Sequence, residues 1–431
     1  MTAPLTRWAA AGGPFEMSPE SIAAERSLDL SQVRTALAKT TEVLAAELGN
    51  PGLCAPDWSD MEWQVAKAVA SIHGVSGLLC GVLRWVGPAH WHAFLADQKL
   101  QVAARLPRIQ ALLGLLDTRA AEHDVAVVAL KGAALIALGL YSAGERPMAD
   151  LDILVREQDI QPAAAVLRLL GYREAGTTWK HRAFEPAVSS GAVARLGESG
   201  AADIKLELHT AIREALPVRT VDISRAIFPA RPRPGLNDYP SVAALLLHVL
   251  HHAAGALVLR ELRLLHLHDI SRLASIMSPP DWEQMSRLVA ATDEPTLWWA
   301  YPPLVLAARY FHCVPPQVID QAARACPARL RRWYRHRTLT DVSISHLWVS
   351  AFPGIEWART GREIAAYVAR RVVPSAETLA QRQAFAISQP QVSGGEWSQT
   401  SQARRILRWL LARQPRQVTL ERVRASLNLQ R

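Results

Sequence analysis

Cysteine is scarce: this chain of 431 residues has 4, at Cys54, Cys80, Cys313 and Cys326. They are too few and too scattered for a disulfide scaffold or a clustered zinc site, so a reducing compartment is expected. Lysine is scarce too. Only Lys39, Lys67, Lys99, Lys131, Lys180 and Lys205 occur among 48 basic residues, the rest being arginine. Such a bias reflects genome composition more than function, but it makes each lysine more informative about local need. No segment reaches 18 clean apolar residues, and no basic stretch followed by an apolar run and a cleavage site opens the chain. A cytoplasmic protein without a transmembrane segment is therefore expected. A content of 50% hydrophobic and 20% charged residues excludes a mostly disordered or fibrous chain, and the length allows two or three domains.

The net charge of +9 is unevenly placed. From residue 301 onward twenty arginines face seven acidic residues, an excess of +13, which leaves −4 for residues 1–300. Arg329, Arg331, Arg332, Arg335 and Arg337 surround Trp333 and Tyr334, a mixture of charge and rings that nucleic-acid sites use. The same run also reads as a solvated helix face. Arg404, Arg405, Arg408 and Trp409 fit a membrane surface or an acidic partner. A polyanionic acceptor or an acidic peptide suits this tail, with RNA the less favoured partner.

Along the chain, residues 1–30 read as a flexible lead-in and 31–121 as an N-terminal helical lobe, including an amphipathic pattern over 95–116. The period changes at Val125-Ala126-Val127-Val128-Ala129-Leu130, a wholly apolar, β-branched-rich run that predicts a buried strand. Lys131-Gly132 ends it and a helix over 133–140 follows. A second strand is predicted over 151–155, a helix over 161–170, and a third strand over 203–209, with one more strand within 180–196. Residues 122–235 thus form an α/β core. A helical domain over 236–373, a linker or mobile loop over 374–403, and a basic helical segment over 404–431 complete the chain. The fold class expected is α+β, mainly helical with an embedded core of mixed sheet.

The most informative segment is Gly144-Glu145-Arg146-Pro147-Met148-Ala149-Asp150-Leu151-Asp152-Ile153-Leu154-Val155. Asp150 and Asp152 share one strand face, about 7 Å apart. Two carboxylates so placed reach one or two divalent ions, and Mg²⁺ suits such hard oxygens. Taken alone, the pair also reads as a solvated strand end. Three neighbours favour a site. Glu207 has the alternation needed to add a third carboxylate, as two-metal phosphoryl-transfer sites require. Lys131-Gly132 marks a strand-to-helix junction where a backbone without Cβ admits phosphate. Arg146 precedes Asp150 by four residues and could clamp a phosphate or an aspartate. Lys205 and His209 share the Glu207 face. Lys205 reads as an acceptor or base contact or as one half of a surface ion pair, and His209 as a group that orients the acceptor or the carboxylate. His248, His251, His252, His266 and His268 read as packing or supporting groups ahead of a metal centre.

The ordered combination of Leu130-Lys131-Gly132-Ala133-Ala134, Tyr141 and Arg146-Pro147-Met148-Ala149-Asp150-Leu151-Asp152 resembles the uncharacterised nucleotidyltransferase-like family of the DNA polymerase β superfamily. Leu206-Glu207-Leu208-His209 is similar to its next strand, and Leu246-Leu247-His248 with His251 and Asp269 to its following helices. The resemblance covers roughly residues 95–300. It implies that Asp150 and Asp152 are the metal pair, Glu207 the third carboxylate, and Gly132 the small residue at the triphosphate. Lys131-Gly132-Ala133 replaces the Gly-Gly or Gly-Ser usual in the superfamily. The implied cofactors are Mg²⁺ or Mn²⁺ with a nucleoside triphosphate, ATP foremost. The implied reaction transfers a nucleoside monophosphate, or another phosphoryl-containing part of the triphosphate, to a peptide, sugar or other small acceptor. The alternatives are a catalytically silent nucleotide- or partner-binding protein, and an RNA-binding module using the arginine-rich third.

Overall fold

The computed structural model describes residues 28–192, 194, 196–375, 379 and 401–428. Most of the expected lead-in, residues 1–27, and most of the expected linker lie outside the described residues. Helices α1 (Leu30–Gly49), α2 (Asp60–Ile72), α3 (Ser76–Val82) and α4 (Ala89–Glu122) come first. Asp29 caps α1 by accepting from the Ser31 and Gln32 amides, and Ser59 with Glu62 forms a capping box on α2. Both arrangements satisfy backbone donors that a helix start leaves open.

The sheet region follows, with β1 (Ala126–Ala129), α5 (Gly132–Ala137), β2 (Asp150–Leu154), α6 (Ile160–Leu169), β3 (Tyr172–Thr177), β4 (His181–Pro186), β5 (Lys205–His209), β6 (Arg213–Leu216), β7 (Arg219–Asp222) and β8 (Gly235–Asn237). Six of these strands form one sheet in the order β3-β4-β5-β2-β1-β8. Its β2–β5 and β1–β8 pairs are parallel, and its other pairs antiparallel, so the protein is α+β with a mixed sheet. Strands β6 and β7 make a separate hairpin.

The pleat divides the chemistry. Leu151, Ile153, Leu206 and Leu208 pack with Ile109, Leu112 and Leu116 of α4 and with Ala163, Val166 and Leu167 of α6. Alternation then turns Asp150, Asp152, Glu207 and His209 to the opposite face, which lines a cleft. Across that cleft stand α7 (Val242–Leu259) and α8 (Leu264–Ala274).

Helix α7 has a mean hydropathy of 1.9 over 18 residues and is long and apolar enough to cross a membrane. Its three histidines break the apolar run and lower the mean, which the leucines and valines still keep high. The helix is 78% buried and sits at the centre of the larger core. There it packs on α9 (Pro279–Ala290) and α10 (Tyr301–Phe311), in a core to which residues of α1 and α2 also belong. The helices on either side of the sheet in sequence therefore share one interior. Farther on lie α11 (Pro316–Ala325), α12 (Ala328–Arg335), α13 (Gly361–Val372), α14 (Gln402–Leu411) and α15 (Gln417–Asn428). Helix α15 returns to pack on α2.

Within α12 the aromatic rings turn inward. Tyr334 is fully buried and accepts from Trp357 Nε1, while Trp333 lies between the Arg260 and Arg337 guanidinium groups. The exposed arginines there carry charge without an aromatic stacking platform.

Candidate active site

The cleft has a volume of about 450 Å³ and brings together Lys131, Gly132, Arg146, Asp150, Asp152, Glu207 and His209. Asp152 and Glu207 stand in register on the parallel strands β2 and β5, which places their carboxylates side by side. Lys131 enters from the end of β1, where the chain turns with φ +46° and ψ −109°. That conformation is nearly confined to glycine. It is held by the Lys131 amide, which donates to the Tyr239 hydroxyl at 3.1 Å, while that hydroxyl meets His248 Nδ1 at 2.7 Å. Gly132 is required by packing: a Cβ there would strike Arg146 Nη1 and the Met148 sulfur.

Both oxygens of Asp152 are engaged. Lys131 Nζ lies 2.9 Å from Oδ2, and His209 Nε2 donates to Oδ1 at 2.9 Å. Burial opposes ionisation of Asp152, but the Lys131 charge and the His209 hydrogen bond outweigh it and hold the carboxyl well below its usual range. Burial likewise disfavours the His209 and Lys131 cations, and the carboxylates around them reverse the direction and raise both. Asp150, open at the cleft mouth, behaves differently. Loss of water, then the Asp152 and Glu207 charges, push its carboxyl up to about 6. Negative charge at this face thus exceeds what Lys131 neutralises, and a set of three hard oxygen donors with a charge deficit fits a divalent cation.

Two expected contacts are corrected. Arg146 does line the cleft, but its fork is bidentate on Asp269 of α8, with Nε–Oδ1 at 2.9 Å and Nη2–Oδ2 at 2.8 Å. Tyr141 also donates to Asp269, at 2.6 Å. Arg146 therefore fixes the β2 approach loop to the helical wall, because planar guanidinium geometry matches a carboxylate on two bonds. Lys205 lies outside the cleft lining. It is exposed and paired at 2.6 Å with Glu185 of the neighbouring strand β4, the surface ion pair that its position also allowed.

Three cleft residues escaped the sequence reading. His181 projects from β4, with Nδ1 3.2 Å from Glu207. Lys180 and Glu214 form a 2.6 Å pair on the far wall, with His252 Nδ1 4.0 Å from Glu214. Gly255 of α7 makes room for this pair, since a Cβ there would overlap the Glu214 carboxylate. The usable signal was two short alternating runs on either side of Pro217-Val218, which predict the β6–β7 hairpin.

A family described as an uncharacterised nucleotidyltransferase matches residues 59–309, more than half of the chain. The chain belongs to that family. No curated protein matches it. The matched region of this nucleotidyltransferase-family protein contains the whole of the six-stranded sheet together with α7 and α8, so both walls of the cleft fall within it. Membership supports a general nucleotidyltransferase activity and implies a nucleotide as substrate.

Proposed function

We propose that the cleft transfers a nucleoside monophosphate, or another phosphoryl-containing part of a nucleoside triphosphate, to an acceptor hydroxyl, with ATP as the first donor to test. The observation that carries this reading is the in-register Asp152–Glu207 pair with Asp150 on the same face, opening toward Lys131. Asp150, Asp152 and Glu207 would hold Mg²⁺ or Mn²⁺. Such an ion, when bound, withdraws charge from the reacting phosphate and lowers the pKa of the acceptor hydroxyl.

The chain's own groups supply the remainder. Lys131 leaves Asp152 for the phosphates and stabilises charge on the departing portion. His209 keeps the Asp152 carboxylate oriented. Glu207 accepts the hydroxyl proton as the acceptor oxygen forms its bond to the α-phosphorus and the bond to the β-phosphate oxygen breaks, releasing pyrophosphate. The Lys180–Glu214 wall offers a donor and an acceptor for a polar substrate such as a peptide or sugar. The exposed Arg404 and Arg408 of α14 provide positive charge for an acidic partner. A cytoplasmic location, suggested by the scarcity of cysteine in the sequence, is part of the same proposal.

The test is a calorimetric titration with Mg²⁺ and a non-hydrolysable ATP analogue, paired with transfer from α-labelled ATP to candidate acceptors. Asp150→Asn and Asp152→Asn should each abolish transfer and leave the fold intact. Wild-type turnover in both would overturn the assignment. A second reading, nucleotide binding without turnover, is favoured by the Lys131 ammonium beside Asp152, where a catalytic cation would compete with it. Tight analogue binding with no labelled product from any acceptor supports that reading.

A further inference from the structure

His181, Glu207 and His209 carry chemistry that magnesium does not require. His181 Nδ1 is buried and makes no hydrogen bond, although Glu207 Oε2 is only 3.2 Å away. His209 Nε2 lies 3.6 Å from the same oxygen, and the three donor atoms fall within 4.8 Å of one another. Tetrahedral zinc, with bonds of about 2.0–2.1 Å, needs donor–donor edges of about 3.3 Å. Two edges of the triangle already have that length. Three protein donors leave the fourth tetrahedral position to water, and Asp152 Oδ1, 2.9 Å from His209 Nε2, adjoins the triangle and orients that ring.

The placement follows from strand pairing. His181 of β4 is the antiparallel partner of His209 on β5, and Glu207 precedes His209 by two residues on the same face. Two rings and a carboxylate therefore converge without a loop to position them, and sites built on strands are held more firmly than sites on loops. Imidazole nitrogen favours borderline cations such as zinc and cobalt, whereas magnesium prefers carboxylate and water oxygens in an octahedron.

We propose that His181, His209 and Glu207 form a cation site selective for zinc or a similar borderline transition metal over magnesium. It lies beside the Asp150 oxygen site and rests on the proposed transferase reading only for what the ion contributes to the reaction. The two sites share Glu207 and differ in hardness, so the protein is built for two unlike cations.

The experiment is a Co²⁺ titration of the full-length, nucleotide-free protein followed by visible absorption, with Zn²⁺ and then excess Mg²⁺ as competitors. One equivalent of Co²⁺ should give the intense bands of a low-coordinate ion, lost on adding Zn²⁺ and retained in Mg²⁺. His181→Ala and His209→Ala should each weaken Zn²⁺ binding by at least ~100-fold, given that even indirect partners of a metal ligand are worth 10–100-fold. Asp150→Asn should keep the cobalt bands while losing binding of the magnesium–nucleotide complex, which separates failure of this site from failure of the transferase reading. Absence of the bands in the wild type, their displacement by Mg²⁺, or their persistence in both folded histidine variants would overturn the proposal. The wild-type competition decides the matter even if a variant does not fold.

Discussion

Two buried ion pairs stand in one cleft and are built for opposite purposes. Arg146 and Asp269 have side chains 9% and 4% exposed and meet through two parallel hydrogen bonds, with Tyr141 adding a third to the same carboxylate. Lys131 and Asp152 are more open, at 19% and 10%, and meet through a single ammonium contact. The arginine fork has a fixed direction and a fixed partner, whereas the lysine is a compact charge on a flexible stem. The first pair is a brace between the sheet region and α8. The second is a movable charge, able to turn from carboxylate to phosphate.

Breaking the brace should have the largest effect. Arg146→Ala leaves Asp269 buried without its partner, and such losses cost about 3–5 kcal/mol, readable as a lower midpoint in urea. Arg146→Lys should recover only part of this, because one ammonium cannot reproduce the fork.

Acid should weaken the same region by a second route. Burial, with the Arg263 charge, holds His266 down to about 3, and burial holds His268 down to about 4 against the pull of Asp269. Both rings are neutral when folded, and take up protons on unfolding once the pH is below the ordinary histidine value of about 6.5. The unfolded state then binds more protons at these rings, so their contribution to stability falls as the pH drops from about 6.5 toward 3 and is flat above that window. His73, held down to about 3 by burial and then by Arg263, adds to the same loss. Thermal melts across this range should show it. A melting temperature independent of pH between 4 and 7 would remove the histidines from the account.

The movable pair should affect ligand binding more than stability. Lys131→Ala is expected to weaken triphosphate binding by about 1–3 kcal/mol, with less effect on a nucleoside lacking phosphates. Lys131→Gly should lose the same affinity yet be more stable than the alanine variant by about 1 kcal/mol, because only glycine adopts the positive φ without strain. Equal stability of the two variants would remove the strain argument.

The smallest effect belongs to a third pair on the same strand as Glu207. Lys205 is 59% exposed in its pair with Glu185, and exposed pairs contribute about 0–1 kcal/mol. Lys205→Ala should therefore change neither the melting curve nor nucleotide affinity measurably.

The contrast between the first two pairs also explains what could be read from the residues alone. Asp150, Asp152, Glu207 and Lys131 were legible because they interrupt apolar alternation or end an apolar strand, and each such signal is local. Strands β1, β2 and β5 followed from the same patterns. The partner of Arg146 was not legible, since Asp269 lies 123 residues away and nothing near Arg146 distinguishes a phosphate from a buried carboxylate. His181 was missed because β4, although a strand was expected within 180–196, is largely polar and does not show which face is inward, and Glu214 because β6 has only 4 residues. The backbone at Lys131 was hidden for a related reason: a non-glycine residue gives no sign of a positive φ.

The return of α15 to α2 has a consequence for how the protein comes into being. Val423 and Leu420 are buried in the finished fold, and Thr419 donates to the Ile344 carbonyl at 2.7 Å. A helix near residue 60 thus waits, during synthesis, for a partner made more than three hundred residues later. Domains generally fold as they leave the ribosome, but here the part of α2 not covered by α1, α3 and α4 stays open until α15 has emerged. A nascent chain stalled within the arginine-rich stretch would display that surface to chaperones, even though every titratable residue of the cleft had already been translated.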